Sequence, residues 1–176
     1  MRTMAKALGV LLVVAFAAGL WDARYGQDER RPARSAPFRT AAVERERSPR
    51  TAPELVAVEA VDRDGYDRVV FTFDGSRPGY RVRYVDQVSD QAGKRLPLRG
   101  EAFLEVAFQP ARARSAAGEP TFSPASLTPG FADLRQVRFA GDFEGEVTFG
   151  IGAAAGRRGF RVSELRDPTR VAIDIR

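Results

Sequence analysis

Arg81 and Arg83 stand two residues apart in the run Tyr80-Arg81-Val82-Arg83-Tyr84-Val85. Side chains two apart on a strand share a face, so two guanidinium forks lie opposite an apolar face made by Tyr80, Val82 and Tyr84. An Arg fork meets a carboxylate through two parallel hydrogen bonds. Arg138 and Arg161 fall in comparable alternating runs. The candidate ligand-binding set is Arg81, Arg83, Arg138, Arg161 and Tyr84, directed at acidic groups on a peptide or polymer. The same arginines have a second use, in cross-strand pairs with Glu105, Glu146 or Asp174, each contributing roughly 0.2–1 kcal/mol.

Catalytic chemistry is poorly supplied. The chain has no His and no Cys, which removes the imidazole base, the commonest metal ligands and the thiolate nucleophile. Its lysines are Lys6 and Lys94, and Lys94 ends the polar turn Asp90-Gln91-Ala92-Gly93, where an ammonium stays solvated. Carboxylate pairs exist in Glu101 with Glu105 and in Asp142, Glu144 and Glu146. Glycoside hydrolysis needs two carboxyls facing across a cleft, whereas Glu101 and Glu105 share one strand face. Asp62-Arg63-Asp64-Gly65-Tyr66-Asp67 has calcium-loop character, but the sixth and twelfth loop positions hold Asp67 and Phe73 instead of Gly and Glu. It reads as a turn. Gly150-Ile151-Gly152-Ala153-Ala154-Ala155-Gly156 lacks the long helix that a dinucleotide loop opens, and reads as a flexible hairpin loop. The expectation is a non-enzyme without cofactor or metal.

These side chains must be positioned by strands. Alternating or apolar runs predict strands at 54–62, 68–74, 80–85, 102–108, 134–139, 146–151, 160–165 and 170–175, separated by Asp/Gly/Pro turns. About eight short strands without a helical period predict an all-β, antiparallel β-sandwich. The segment 111–134 is the long irregular connection, with a helical turn expected near Phe131-Ala132-Asp133-Leu134. An internal echo relates Pro78-Gly79-Tyr80-Arg81-Val82 to Arg158-Gly159-Phe160-Arg161-Val162, as two equivalent strands of a pseudo-symmetric sandwich would.

The net charge of +5 lies outside this unit. Residues 54–176 carry equal numbers of basic and acidic side chains, whereas a nucleic-acid-binding domain is itself basic. The excess sits in two preceding segments. Residues 1–21 combine Arg2 and Lys6 with an apolar run and the small-residue site Ala15-Phe16-Ala17. That pattern is a signal peptide or N-terminal anchor, predicting export to the envelope or medium, with membrane contact only through 1–21 if uncleaved. Residues 22–53, rich in Arg, Pro and Ala, predict a disordered linker. The folded domain is expected at 54–176.

The strands carry a family resemblance. Gly65-Tyr66-Asp67-Arg68-Val69-Val70-Phe71, Pro78-Gly79-Tyr80-Arg81-Val82, Ala140-Gly141-Asp142-Phe143-Glu144-Gly145 and Asp167-Pro168-Thr169-Arg170-Val171-Ala172-Ile173-Asp174-Ile175 together resemble the AMIN-like domain of actinobacterial cell-envelope proteins. The related AMIN domain of wall amidases and pilus secretins is a small, non-catalytic β-sandwich. The resemblance implies a cell-envelope module that binds or localises to peptidoglycan-type wall polymer. The alternative is a protein–protein interaction domain for another envelope protein, without glycan contact. Members often carry a lipid-modified Cys; this chain has none.

Overall fold

A computed structural model describes residues 36–176, which form one compact unit. The expected signal or anchor (1–21) and the first part of the expected linker (22–35) lie outside the described residues.

Ten strands follow in order: β1 (Val43–Arg45), β2 (Glu54–Arg63), β3 (Tyr66–Asp74), β4 (Gly79–Val85), β5 (Ala102–Gln109), β6 (Ser126–Leu127), β7 (Leu134–Phe143), β8 (Glu146–Ala153), β9 (Phe160–Leu165) and β10 (Thr169–Ile175). They build two antiparallel sheets, β1-β4-β5-β8-β7-β6 and β2-β3-β10-β9. The sandwich is as expected, and each of the eight expected strands is present.

Alternation explains the packing. Val69, Phe71 and Phe73 on β3 and Val171, Ile173 and Ile175 on β10 point inward from one sheet. Leu104, Val106 and Phe108 on β5 and Val147, Phe149 and Ile151 on β8 point inward from the other. The layers meet through aromatic rings. Phe71 packs on Phe108 and Phe149 at 4.9 and 5.0 Å between centroids, and Phe73 on Phe108 at 5.0 Å.

The strand order is internally symmetric. Hairpins β2–β3 and β7–β8 sit in different sheets, and the two strands after each hairpin cross to the opposite sheet. Exchanging β2, β3, β4 and β5 for β7, β8, β9 and β10 converts β2-β3-β10-β9 into β7-β8-β5-β4. The echoed segments are thus β4 and β9, in equivalent places.

Four expectations change. Residues 36–53 do not behave as linker: β1 pairs antiparallel with β4, and Arg39 makes a bridge to Phe160. Long-range hydrogen bonds hold this stretch, which local composition does not reveal. The expected helical turn at 131–134 is absent, because Leu134 already begins β7 and the preceding residues only bend. The connection 111–134 is not wholly irregular: Ser126 and Leu127 pair with Arg138 and Val137, and Phe122 inserts against Phe139 and Phe149.

The fourth change concerns the glycine-rich stretch. Gly150 to Ala153 belong to β8, beneath residues 86–101, which lie over the outer face of the larger sheet. Val88 and Leu96 make a second small apolar cluster there with Ala140. A Cβ at Gly152 would fall 1.8 Å from the Arg99 carbonyl oxygen, and one at Gly150 would fall 2.5 Å from Leu98 Cδ1. Gly152 is fixed by close approach of the overlying backbone, whereas Gly150 lies under the Leu98, Leu96 and Val88 side chains.

Candidate functional site: a polar trough on the larger sheet

The five candidate residues do not converge. Arg161 stands on the smaller sheet, where its Nε donates to Asp174 at 2.6 Å and its guanidinium lies 4.5 Å from the Phe38 ring centre and 4.8 Å from that of Tyr66. Tyr84 donates its hydroxyl to the Arg158 carbonyl, and its ring packs edge-on against Phe160. Burial raises the Tyr84 phenol above its ordinary pKa. Arg138 donates to the Pro97 carbonyl at 3.0 Å, beside the overlying segment. Each of the three is engaged in holding the fold.

Arg81 and Arg83 stay together on the outward face of β4, above Glu105, Ala107, Glu146 and Thr148. Their partners are those of the alternative use, with unequal grip. Arg83 grips Glu105 at 2.8 Å, directly across the strand pair. Arg81 reaches Glu146 only at 3.9 Å, and Thr148 Oγ1 also donates to that carboxylate at 3.2 Å. Arg81 Nε is buried and makes no hydrogen bond. Its side chain is 38% exposed, so the charge faces water while one donor goes unused.

Two clefts flank this loose pair. One, of about 280 Å³, runs toward β1 and the residues after it, with Tyr80 in its wall. The other, of about 250 Å³, runs toward Asp90, Gln91 and Phe143. Arg81 and Glu146 line both, so the clefts form one trough interrupted by a single weak ion pair. Phe143, 61% exposed, stands on its rim. Sequence reasoning passed over Phe143. The signal is an aromatic between Asp142 and Glu144, at the end of β7 where the strand meets the hairpin turn.

Of the carboxylates weighed for hydrolysis, Glu105 and Asp142 are engaged in the fold. Glu105 is held by Arg83, and Asp142 Oδ2 accepts the Ala113 amide at 2.7 Å. Among the described residues no cluster of acidic side chains is arranged to hold a metal ion.

A ten-strand sandwich with a mixed-charge trough on one sheet belongs to the class of small all-β modules. The family model for the AMIN-like domain matches residues 53–176, and the chain belongs to that family. No curated protein and no solved structure matches it. The conspicuous motifs of the resemblance serve the fold. Asp174 accepts from Arg68 and Arg161, and Asp67 Oδ2 accepts the amides of Asp133 and Leu134 at 2.6 and 2.8 Å.

Proposed function

We propose that this protein is an exported, non-catalytic module of the cell envelope that binds peptidoglycan-type wall polymer through the trough across β4, β5 and β8. Membership of the AMIN-like family supports the wall association, since such domains are generally non-catalytic and extracytoplasmic.

The observation that carries the site is the state of Arg81: a part-exposed guanidinium with an unused buried donor, whose nearest acid is 3.9 Å away. A free carboxylate on a stem peptide competes with Glu146 for that fork, and charge-assisted hydrogen bonds to a carboxylate are among the stronger polar contacts. The Phe143 ring offers an apolar platform beside it for a sugar face or a peptide methyl group. Glu105 and Glu146 give the trough both signs of charge, which suits a ligand bearing amines as well as carboxylates.

Calorimetric titration of the full chain with soluble muropeptides tests the assignment. Fragments with free stem carboxylates bind, amidation of those carboxylates weakens binding, and Arg81→Ala removes the difference between the two. Equal binding of the free and amidated fragments would overturn the role of Arg81.

A further inference from the structure

Residues 38–47 lie along the seam where the edges of β4 and β9 meet, on the side of the sandwich opposite β2 and β7. The segment touches both edges in turn. The amide of Arg39 donates to the Phe160 carbonyl on β9 at 2.8 Å, and the Phe160 amide returns the bond to the Arg39 carbonyl at 2.8 Å. Four residues later Val43, Glu44 and Arg45 pair with Val82, Arg81 and Tyr80 of β4. Arg47 then grips Glu164 of β9 through two hydrogen bonds of 2.8 and 2.9 Å.

Each end of the contact is shaped for this segment. A Cβ at Gly79 would fall 2.5 Å from the Gln109 carbonyl oxygen of the paired strand β5, and also 2.8 Å from the Arg45 carbonyl oxygen and 3.0 Å from the Arg47 amide nitrogen of the segment. A Cβ at Gly159 would fall 3.1 Å from Phe38 Cβ. These are the two glycines of the internal echo, so the pseudo-symmetry places a close-approach position at the head of each edge strand. Phe38 is further fixed between cations, with the Arg161 and Arg176 guanidinium carbons 4.5 and 4.2 Å from its ring centre.

The segment lies outside the family match, which begins at residue 53. Its strand is three residues long and largely exposed, and the connection to β2 runs through Ser48-Pro49-Arg50-Thr51-Ala52-Pro53. An edge strand offers unpaired backbone groups to any extended chain, and side-chain pockets at fixed spacing then select the sequence. We propose that the β4–β9 seam is a strand-docking site that recognises an aromatic residue and, nine positions on, an arginine. Its occupant is the chain's own segment 38–47, seated on β4 and β9. The inference is independent of whether the trough meets wall polymer.

The test uses the full chain carrying Phe38→Ala and Arg47→Ala, which empties both anchoring positions and leaves 53–176 unchanged. A fluorescent synthetic peptide of residues 36–48 is titrated into it and into the unsubstituted chain. The variant binds the peptide saturably. The unsubstituted chain binds it at least about tenfold more weakly, because its own segment competes at the high effective concentration of a short tether. A scrambled peptide binds neither. No binding to a variant that keeps its cooperative melting transition would overturn the proposal, as would equal binding to both chains. A second arm replaces Pro49–Ala52 by a protease site. After cleavage the N-terminal fragment stays on the domain and is exchanged by excess peptide. Departure of the fragment without rebinding of the peptide overturns the proposal.

Discussion

Arg68 and Asp174 face each other across β3 and β10, and the guanidinium donates to both carboxylate oxygens, at 2.6 and 3.1 Å. The Asp174 side chain is 0% exposed and also accepts from Arg161. One carboxylate therefore sits between two cations and links β3, β10 and β9. Two of the motifs that carry the family resemblance, those of β3 and β10, meet at this point, which ties them to stability and not to a ligand.

Asp174→Asn removes the negative charge shared by the two guanidinium groups. Breaking a buried ion pair from one side costs about 3–5 kcal/mol, so a large fall in the denaturant midpoint is expected. Exposed Arg83→Ala, tested alongside, shifts stability by about 1 kcal/mol or less. Equal effects of the two substitutions would remove Asp174 from its central place.

Asp67→Ala leaves the amides of Asp133 and Leu134 without their shared acceptor. A buried donor left unsatisfied costs about 1–3 kcal/mol. Hydrogen exchange should accelerate first at those two amides, where the 111–133 connection enters β7. Unchanged protection there would show that the carboxylate is dispensable.

Gly152→Val forces a side chain against the Arg99 carbonyl, which lies 1.8 Å from the Cβ position. The overlying segment lifts from the larger sheet, and Leu96 and Leu98 lose cover. Trypsin then cuts at Arg95 and Arg99 faster than in the unsubstituted protein. Cleavage at an unchanged rate would mean that the segment does not depend on this glycine.

Burial raises the Tyr80 phenol above its ordinary pKa of 10.0, aided by the nearby Glu164 carboxylate. A folded-state pKa above the unfolded value means that the stability contribution is complete below about pH 10 and is lost as pH rises through the folded-state value. Denaturant midpoints should therefore fall above that pH, and Tyr80→Phe should make the fall shallower. An identical slope in Tyr80→Phe would assign the alkaline loss to another group.

Period-two alternation makes the core strands legible because each has one buried face: Val69, Phe71 and Phe73 declare β3 as plainly as Val171, Ile173 and Ile175 declare β10. The echo at Gly79 and Gly159 signals a symmetric sandwich for the same reason. What escapes sequence reading depends on distant partners. Arg47 resembles any linker arginine until Glu164, 117 positions away, is placed beside it. Gly150 and Gly152 resemble a loop until the chain from 96 to 100 is laid over them. At the candidate site, Arg81 and Arg83 are legible as a pair, and so are the acids opposite them. Sequence cannot tell that Arg83 is tightly held and Arg81 loosely, since the difference is set by about 1 Å of side-chain geometry.

The wall-binding account is tested most directly by co-sedimentation of the full chain with purified sacculi, stripped of accessory polymers, across a salt series. Saturable pelleting that weakens with salt and falls at least about tenfold in Arg81→Ala, with Arg83→Ala retaining most of it, is the predicted result. Pelleting no greater than that of an unrelated β-sandwich, or equal pelleting of Arg81→Ala and the unsubstituted chain, would contradict it.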